Sequence, residues 1–193
     1  MKKILFLIAM TVAPVAPTDA QSVDIKKIRE INFYGVDFSL ATAPDVEEIP
    51  ERFKGGLIAI NDLLYREVNK YNFKKYMGKE ILAYNFSVTG NNNEQIDAQQ
   101  LTARTVREKI SDADIRAIIS PLSTDNNATV GLVFIAETLS KARRSGVYHV
   151  VFFDEATHEI IYSRKITGRA GGFGVRNYWA ASIFNILRTW HWR

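Results

Sequence analysis

The stretch from Gly146 to Arg193 decides the fold. It runs Val147-Tyr-His-Val-Val-Phe-Phe-Asp154, Glu155-Ala-Thr-His158, then Glu159-Ile-Ile-Tyr-Ser-Arg-Lys-Ile-Thr167. Gly168-Arg-Ala-Gly-Gly-Phe-Gly174 and Arg176-Asn-Tyr-Trp-Ala-Ala-Ser-Ile-Phe-Asn-Ile-Leu-Arg188 follow. Two runs rich in β-branched and aromatic residues, joined by a short polar turn, predict a hairpin with a four- or five-residue loop. The glycine-rich segment then releases the chain into a helix. On that helix Trp179, Ile183, Ile186, Leu187 and Trp190 form a broad apolar face, and Ser182, Asn185 and Arg188 a narrow polar stripe.

Working outward, Val130 to Thr138 is almost continuously apolar, which predicts a central strand covered on both faces. Ser111 has an acid three residues on, predicting a short helix to Ile119 that is stopped by Pro121. Glu80 to Val88 reads as a strand, Thr89 to Glu94 as a polar loop, and Ile96 to Lys109 as ambiguous. Phe53, Leu57, Ile60, Leu64 and Val68 recur at helical spacing from Pro50 to Lys70, with Gly55-Gly56 fitting close packing of this helix on the sheet. Asn72 to Met77 adds a short helical turn. Ile31 to Leu40 alternates as a strand, with Tyr34, Val36, Phe38 and Leu40 on one side and Phe33, Gly35, Asp37 and Ser39 on the other, more polar side. Together these predict one α+β domain. Its mixed five-stranded sheet ends in an antiparallel meander, in the order β-α-β-α-β-β-β-α.

The first twenty residues stand apart from that domain. Met1-Lys-Lys3 is basic, Ile4 to Val12 apolar, and Thr18-Asp-Ala20 ends in a small residue, the pattern of a signal peptide cleaved before Gln21. Residues 21–193 are then the single domain, and removal of the leader lowers the net charge from +4 to +3. A mildly basic exported chain with no dense Lys/Arg patch argues against nucleic acid and permits an acidic partner. It has no cysteine, hence neither disulfide, thiol nucleophile nor lipid-modified cysteine. The leader and composition place the chain in the periplasm or outside the cell, without a transmembrane span. Asn85-Phe-Ser87 and Asn127-Ala-Thr129 read as chance sequons.

The glycine segment is the candidate ligand site. Gly171, Gly172 and Gly174 at a helix start, with Arg169 and Arg176 beside them, suit a phosphate or carboxylate. The spacing fits neither a P-loop nor a dinucleotide fingerprint, and a plain strand-to-helix connection is the other reading. Asp37, Asp154 and Glu155 are the acids to weigh for hydrolysis, although solvent accounts for Asp37 and turn chemistry for Asp154. His149, His158 and His191 lack metal-ligand spacing, no serine lies in a G-x-S-x-G turn, and nothing calls for a metal or cofactor. Trp190, Trp192, Arg188 and Arg193 also admit contact of the last helix with a membrane surface.

Phe33-Tyr-Gly-Val-Asp-Phe-Ser39, Val151-Phe-Phe-Asp154 and Gly172-Phe-Gly-Val-Arg-Asn-Tyr-Trp-Ala-Ala-Ser-Ile-Phe-Asn185 carry a resemblance to small uncharacterised secreted proteins of Gram-negative bacteria. That resemblance covers most of the mature chain and brings no catalytic residues with it. The strand-turn-strand with Thr157-His-Glu-Ile-Ile-Tyr-Ser163, glycine loop and last helix is also similar in architecture to periplasmic domains of curli-secretion and penicillin-binding-protein-activator lipoproteins. The chain departs from those in lacking their lipidated cysteine. The resemblance implies a non-enzymatic envelope protein that binds a partner protein or wall polymer. The alternative is a small anionic or nucleotide-like ligand at Gly171 to Arg176.

Overall fold

The computed structural model describes residues 24–103, 109–126 and 128–192. The proposed leader, Asn127 and part of the ambiguous 96–109 stretch lie outside the described residues. Within them runs β1 (Glu30–Asp37), α1 (Pro50–Arg66), α2 (Phe73–Met77), β2 (Glu80–Tyr84), α3 (Ser87–Glu94), α4 (Ala98–Leu101), α5 (Asp112–Ile119), β3 (Val130–Ser140), β4 (Ser145–Asp154), β5 (Ile160–Arg169) and α6 (Val175–Arg188). The fold is α+β: a single mixed sheet in the order β2-β1-β3-β4-β5. β1 is parallel to both β2 and β3, while β3-β4-β5 is the antiparallel meander that the sequence predicts.

From β1 the chain crosses to β2 on one side and then back over β1 to β3. α1 and α2 of the first crossover cover one face and α5 of the second covers the other, while α3 and α4 pack against α1. One face accordingly packs Phe33, Val36, Phe134, Tyr148, Val150 and Phe152 against α1, α2 and α6. The other packs Tyr34, Val133, Ile135, Val151 and Phe153 against Ile115, Ile118 and Ile119 of α5. β3 is buried on both faces, which explains its unbroken apolar run. Ser111 and Asp114 form the capping box that starts α5.

Several boundaries differ from the sequence reading. Val68 lies beyond α1 and is 39% exposed. β2 stops at Tyr84, and Ser87 to Glu94 forms α3 where the sequence suggested strand and loop. Asn92 and Asn93 in it serve the end of β1 instead of solvent. Asn93 accepts from the N–H of Phe38 at 2.7 Å and donates to the carbonyl of Val36 at 2.9 Å. Asn61 of α1 accepts from Val36 N–H at 2.7 Å and donates to the same carbonyl at 3.1 Å.

These bonds serve a bulge. Gly35 has φ +80, and the β1–β3 register shifts between Phe33 and Val36. The extra residue breaks the period-two alternation, so Phe33 and Val36 share one face while Tyr34 faces the other. The expected pairing of Tyr34 with Val36 on one side is therefore corrected. So is the solvent exposure of Asp37: the residue is fully buried. Its carboxylate accepts from Ser39 N–H at 2.8 Å, Ser39 Oγ at 2.5 Å and Asn92 Nδ2 at 2.8 Å.

The last helix carries a further correction. Trp179, Ile183, Ile186 and Leu187 are buried as expected, but so is Ser182 of the presumed polar stripe. Its hydroxyl lies 2.8 Å from the hydroxyl of Tyr148 and donates to the carbonyl of Trp179 at 2.6 Å. Gly168 makes this approach possible, because a Cβ there would stand 2.0 Å from the Ser182 carbonyl oxygen. The apolar face that could have met a membrane surface is thus occupied by the sheet. No helix among the described residues is long and apolar enough to cross a membrane.

Candidate functional site

α1 and α6 meet closely at one end of the sheet. Gly56 allows it: a Cβ at Gly56 would lie 2.4 Å from Cγ1 of Val175 in the first turn of α6. The two helix N-termini and the β3–β4 turn then border an open cavity of about 640 Å³. Glu48, Arg52 and Lys141 line one side; Gly172, Phe173, Gly174, Arg176 and Tyr178 line the other. The sequence reading set the Gly55-Gly56 pair against the sheet; Gly56 instead meets helix α6, and a Cβ at Gly55 would touch nothing within 4 Å.

The glycine turn shapes the mouth. Gly172 has φ +113 and Gly174 φ +76, values that favour glycine. Between them Phe173 is thrust outward and is 94% exposed. Among the described residues neither α1 nor α6 has a side chain capping its N-terminus. Two positive dipole ends, Arg52, Arg176 and Lys141 therefore face one space.

The opposing acids are engaged with the walls. Asp45 accepts from Ser140 Oγ at 2.7 Å, Lys141 N–H at 2.8 Å and Ala142 N–H at 3.1 Å, which fixes the β3–β4 turn. Burial pushes its carboxyl upward, but these donors bring it below the usual carboxylate range. Burial and the Lys141 ammonium act against each other on Glu48 in the same way, with a net lowering. One oxygen of Glu48 pairs with Lys141; the other is buried and accepts no hydrogen bond among the described residues. Lys141 also lies over the Tyr178 ring, 5.6 Å from its centroid.

Of the five residues singled out from sequence, Gly172, Gly174 and Arg176 line this cavity. Arg169 and Gly171 do not. The N–H of Arg169 donates to Asn185 Oδ1 at 2.9 Å, and that of Gly171 to the carbonyl of Tyr178 at 3.1 Å. Arg52, Lys141, Glu48 and Phe173 escaped the sequence reading. Only the glycine pair in α1 hinted that its first turns touch another element.

The remaining polar groups sit elsewhere. Asp154 accepts from the N–H groups of Ala156 and Thr157 at 2.9 and 2.8 Å in the β4–β5 turn. Asp37 pairs with Ile135 and Asp154 with Val130 across the same strand, so they lie about 16 Å apart along β3. Glu155 accepts from Tyr34 OH at 2.8 Å and from Asn32 Nδ2 at 2.9 Å, joining the β4–β5 turn to β1. Burial is the main reason the Tyr34 hydroxyl titrates well above its ordinary range. On the α5 side, Glu137 bridges His149, at 2.7 Å, and Lys165. No three acidic or histidine side chains among the described residues gather as a metal site. Compared with protein-family models, with curated proteins and with solved structures, the chain matches none.

Proposed function

We propose that this chain is a non-enzymatic protein of the bacterial envelope, exported to the periplasm or beyond, that binds a partner protein or wall polymer through the mouth of the α1–α6 cavity. The observation that carries this reading is Phe173. A large aromatic side chain is 94% exposed, on a turn that two left-handed glycines hold, beside Arg52 and Arg176. Aromatic and arginine side chains on a rigid support are the usual anchors of a binding surface. The cations favour an acidic partner. The test is recovery of partners from envelope extract by the chain and by its Phe173→Ser variant. The reading expects specific recovery by the native chain, and its loss in a variant of unchanged melting temperature. Recovery that is equal for both, or at background for both, rejects it. Export is checked by the N-terminus of the mature protein, expected at Gln21.

A second reading takes the cavity as a site for a small anion. Two uncapped helix N-termini with Arg52 and Arg176 favour it, and the unpartnered oxygen of Glu48 suits a ligand that also bears a donor. Phosphorylated and carboxylated compounds should then raise the melting temperature of the native chain and not of Arg176→Ala. An unchanged shift in that variant removes this reading.

A further inference from the structure

β1 sits where the direction of the chain across the sheet reverses. The connection after β1 leads through α1 and α2 to β2 on one side, and the connection after β2 leads back over β1 to β3 on the other. In sheets of parallel strands two such connections part to opposite faces, and the crevice they leave outside the strand ends is the usual place for a ligand. Here Ser39, Ala41 and Thr42, just after β1, form one wall of that crevice, and side chains from residues 92–101, which follow β2, form the other. Two hollows of about 540 and 450 Å³ lie between the walls and share Ser39, Ile96, Asp97 and Gln100. The N–H of Ala43 donates to the carbonyl of Leu101 at 2.7 Å, which ties the walls together. Asp37 fixes both from behind. It is fully buried at the end of β1, and its carboxylate takes three neutral donors: the N–H and Oγ of Ser39 from the first wall and Nδ2 of Asn92 from the second. A buried carboxylate is costly to keep. This one holds two side chains that line the crevice in a single orientation.

We propose that this crevice is a binding site for a neutral saccharide. A ligand made of hydroxyl groups is recognised by closely set side chains that both donate and accept, and the amides of Asn92, Gln95 and Gln100 do both. The Ser39 hydroxyl, whose proton is committed to Asp37, is left as an acceptor. Half-buried Ile96 offers the C–H face of a sugar ring an apolar contact. Charge does not select the ligand. No lysine, arginine or histidine among the described residues lines either hollow, so a phosphate or carboxylate meets no counter-charge there. The one acid that lines them, Asp97, already caps α4 by accepting from the N–H groups of Gln99 and Gln100 at 2.9 and 3.1 Å. The crevice shares no lining residue with the α1–α6 cavity, and the inference is independent of the function proposed for that cavity.

The test titrates N-acetylglucosamine, glucose and galactose, each as the free sugar and as its short oligomers, into the native chain and follows the backbone amides by NMR. Inorganic phosphate and spermidine serve as charged controls. The proposal expects at least one saccharide to move the signals of Ser39 and of residues 92–100, with no comparable movement from either control. Gln95→Ala and Gln100→Ala, both at exposed positions, should each weaken that binding roughly fivefold, the loss of one hydrogen bond, at an unchanged melting temperature. Gln99→Ala, outside both hollows, should bind as the native chain does. Binding of none of these saccharides overturns the proposal. So does an equal response to phosphate or spermidine, or full affinity in both glutamine variants. Movement confined to residues 172–176 also overturns it, because the sugar would then belong to the α1–α6 cavity.

Discussion

The two edges of the sheet are treated differently. β5 is ten residues long and carries Arg164, Lys165 and Arg169. α6 packs against it, Asn185 takes up the N–H of Arg169, and Arg164 donates to the carbonyl of His191 in the tail at 2.7 Å. β2 is half as long, bears one charge and leaves Leu82 44% exposed. A long edge threatens uncontrolled pairing and is guarded by charge and cover; a short one, interrupted by a bulge at Leu82, is tolerated without them. The guarded edge holds the molecule together, and the open one is spare surface.

That contrast makes graded predictions. The largest effect belongs to the guarded side. Trp179 is 1% exposed and packs edge-on to Phe53 of α1. Trp179→Ala should cost about 3–5 kcal/mol in urea unfolding, since it removes the joint between α6 and α1. A loss of less than about 1 kcal/mol would mean that α6 is not what closes this side.

An intermediate effect belongs to Lys79, which sits where β2 begins. The residue is 1% exposed, donates to the carbonyls of Ile25 and Ile28, and lies 4.6 Å from the centroid of the Trp192 ring. Burial, with Arg29 adding to it, lowers its ammonium from 10.5 to about 8. Between pH 8 and 10.5 the unfolded chain therefore holds a proton that the folded chain has released, so this group makes stability rise with pH across that window. Below pH 8 both states are protonated and the contribution is flat. Buried tyrosines such as Tyr148 act oppositely above pH 10, because burial raises their hydroxyls. The measurement is the difference between the native chain and Lys79→Met, which should grow in favour of the native chain from pH 8 to pH 10. A constant difference would show that the ammonium is not buried as described.

The smallest effect belongs to the open edge. Leu82→Ser should alter protomer stability by no more than about 0.5 kcal/mol, the ordinary range for an exposed position. A cost above about 2 kcal/mol would show that β2 is part of the core and not spare surface.

How much of this was written in the sequence follows from the range of each signal. The meander, β3 and the buried stripe of α1 were legible because hydrophobic periodicity is local. The capping box of α5 was legible because it spans four residues. α3 was not: Ser87 to Glu94 is rich in asparagine and weakly amphipathic, and is helical because Asn93 and Thr89 bond to the carbonyls of Val36 and Tyr34 in β1 at 2.9 and 2.7 Å. The reversal at Gly35 was hidden because a bulge looks like any other glycine in a strand. Half of the cavity was legible in the glycine segment. The other half was not, because no local pattern brings Glu48 and Arg52 to within reach of a turn more than a hundred positions later.

The clasp at Lys79 has a consequence for how the chain is made. Ile25 and Ile28 near its start are held by a side chain from the middle, which is covered by Trp192 from near its finish. β1, first to emerge, lies between two strands that come later, and the helix that completes its layer is last of all. This clasp is complete only when the tail after α6 is in place. Contacts so far apart in the chain cost loop-closure entropy before they repay it, so slow folding is expected for a domain of this size.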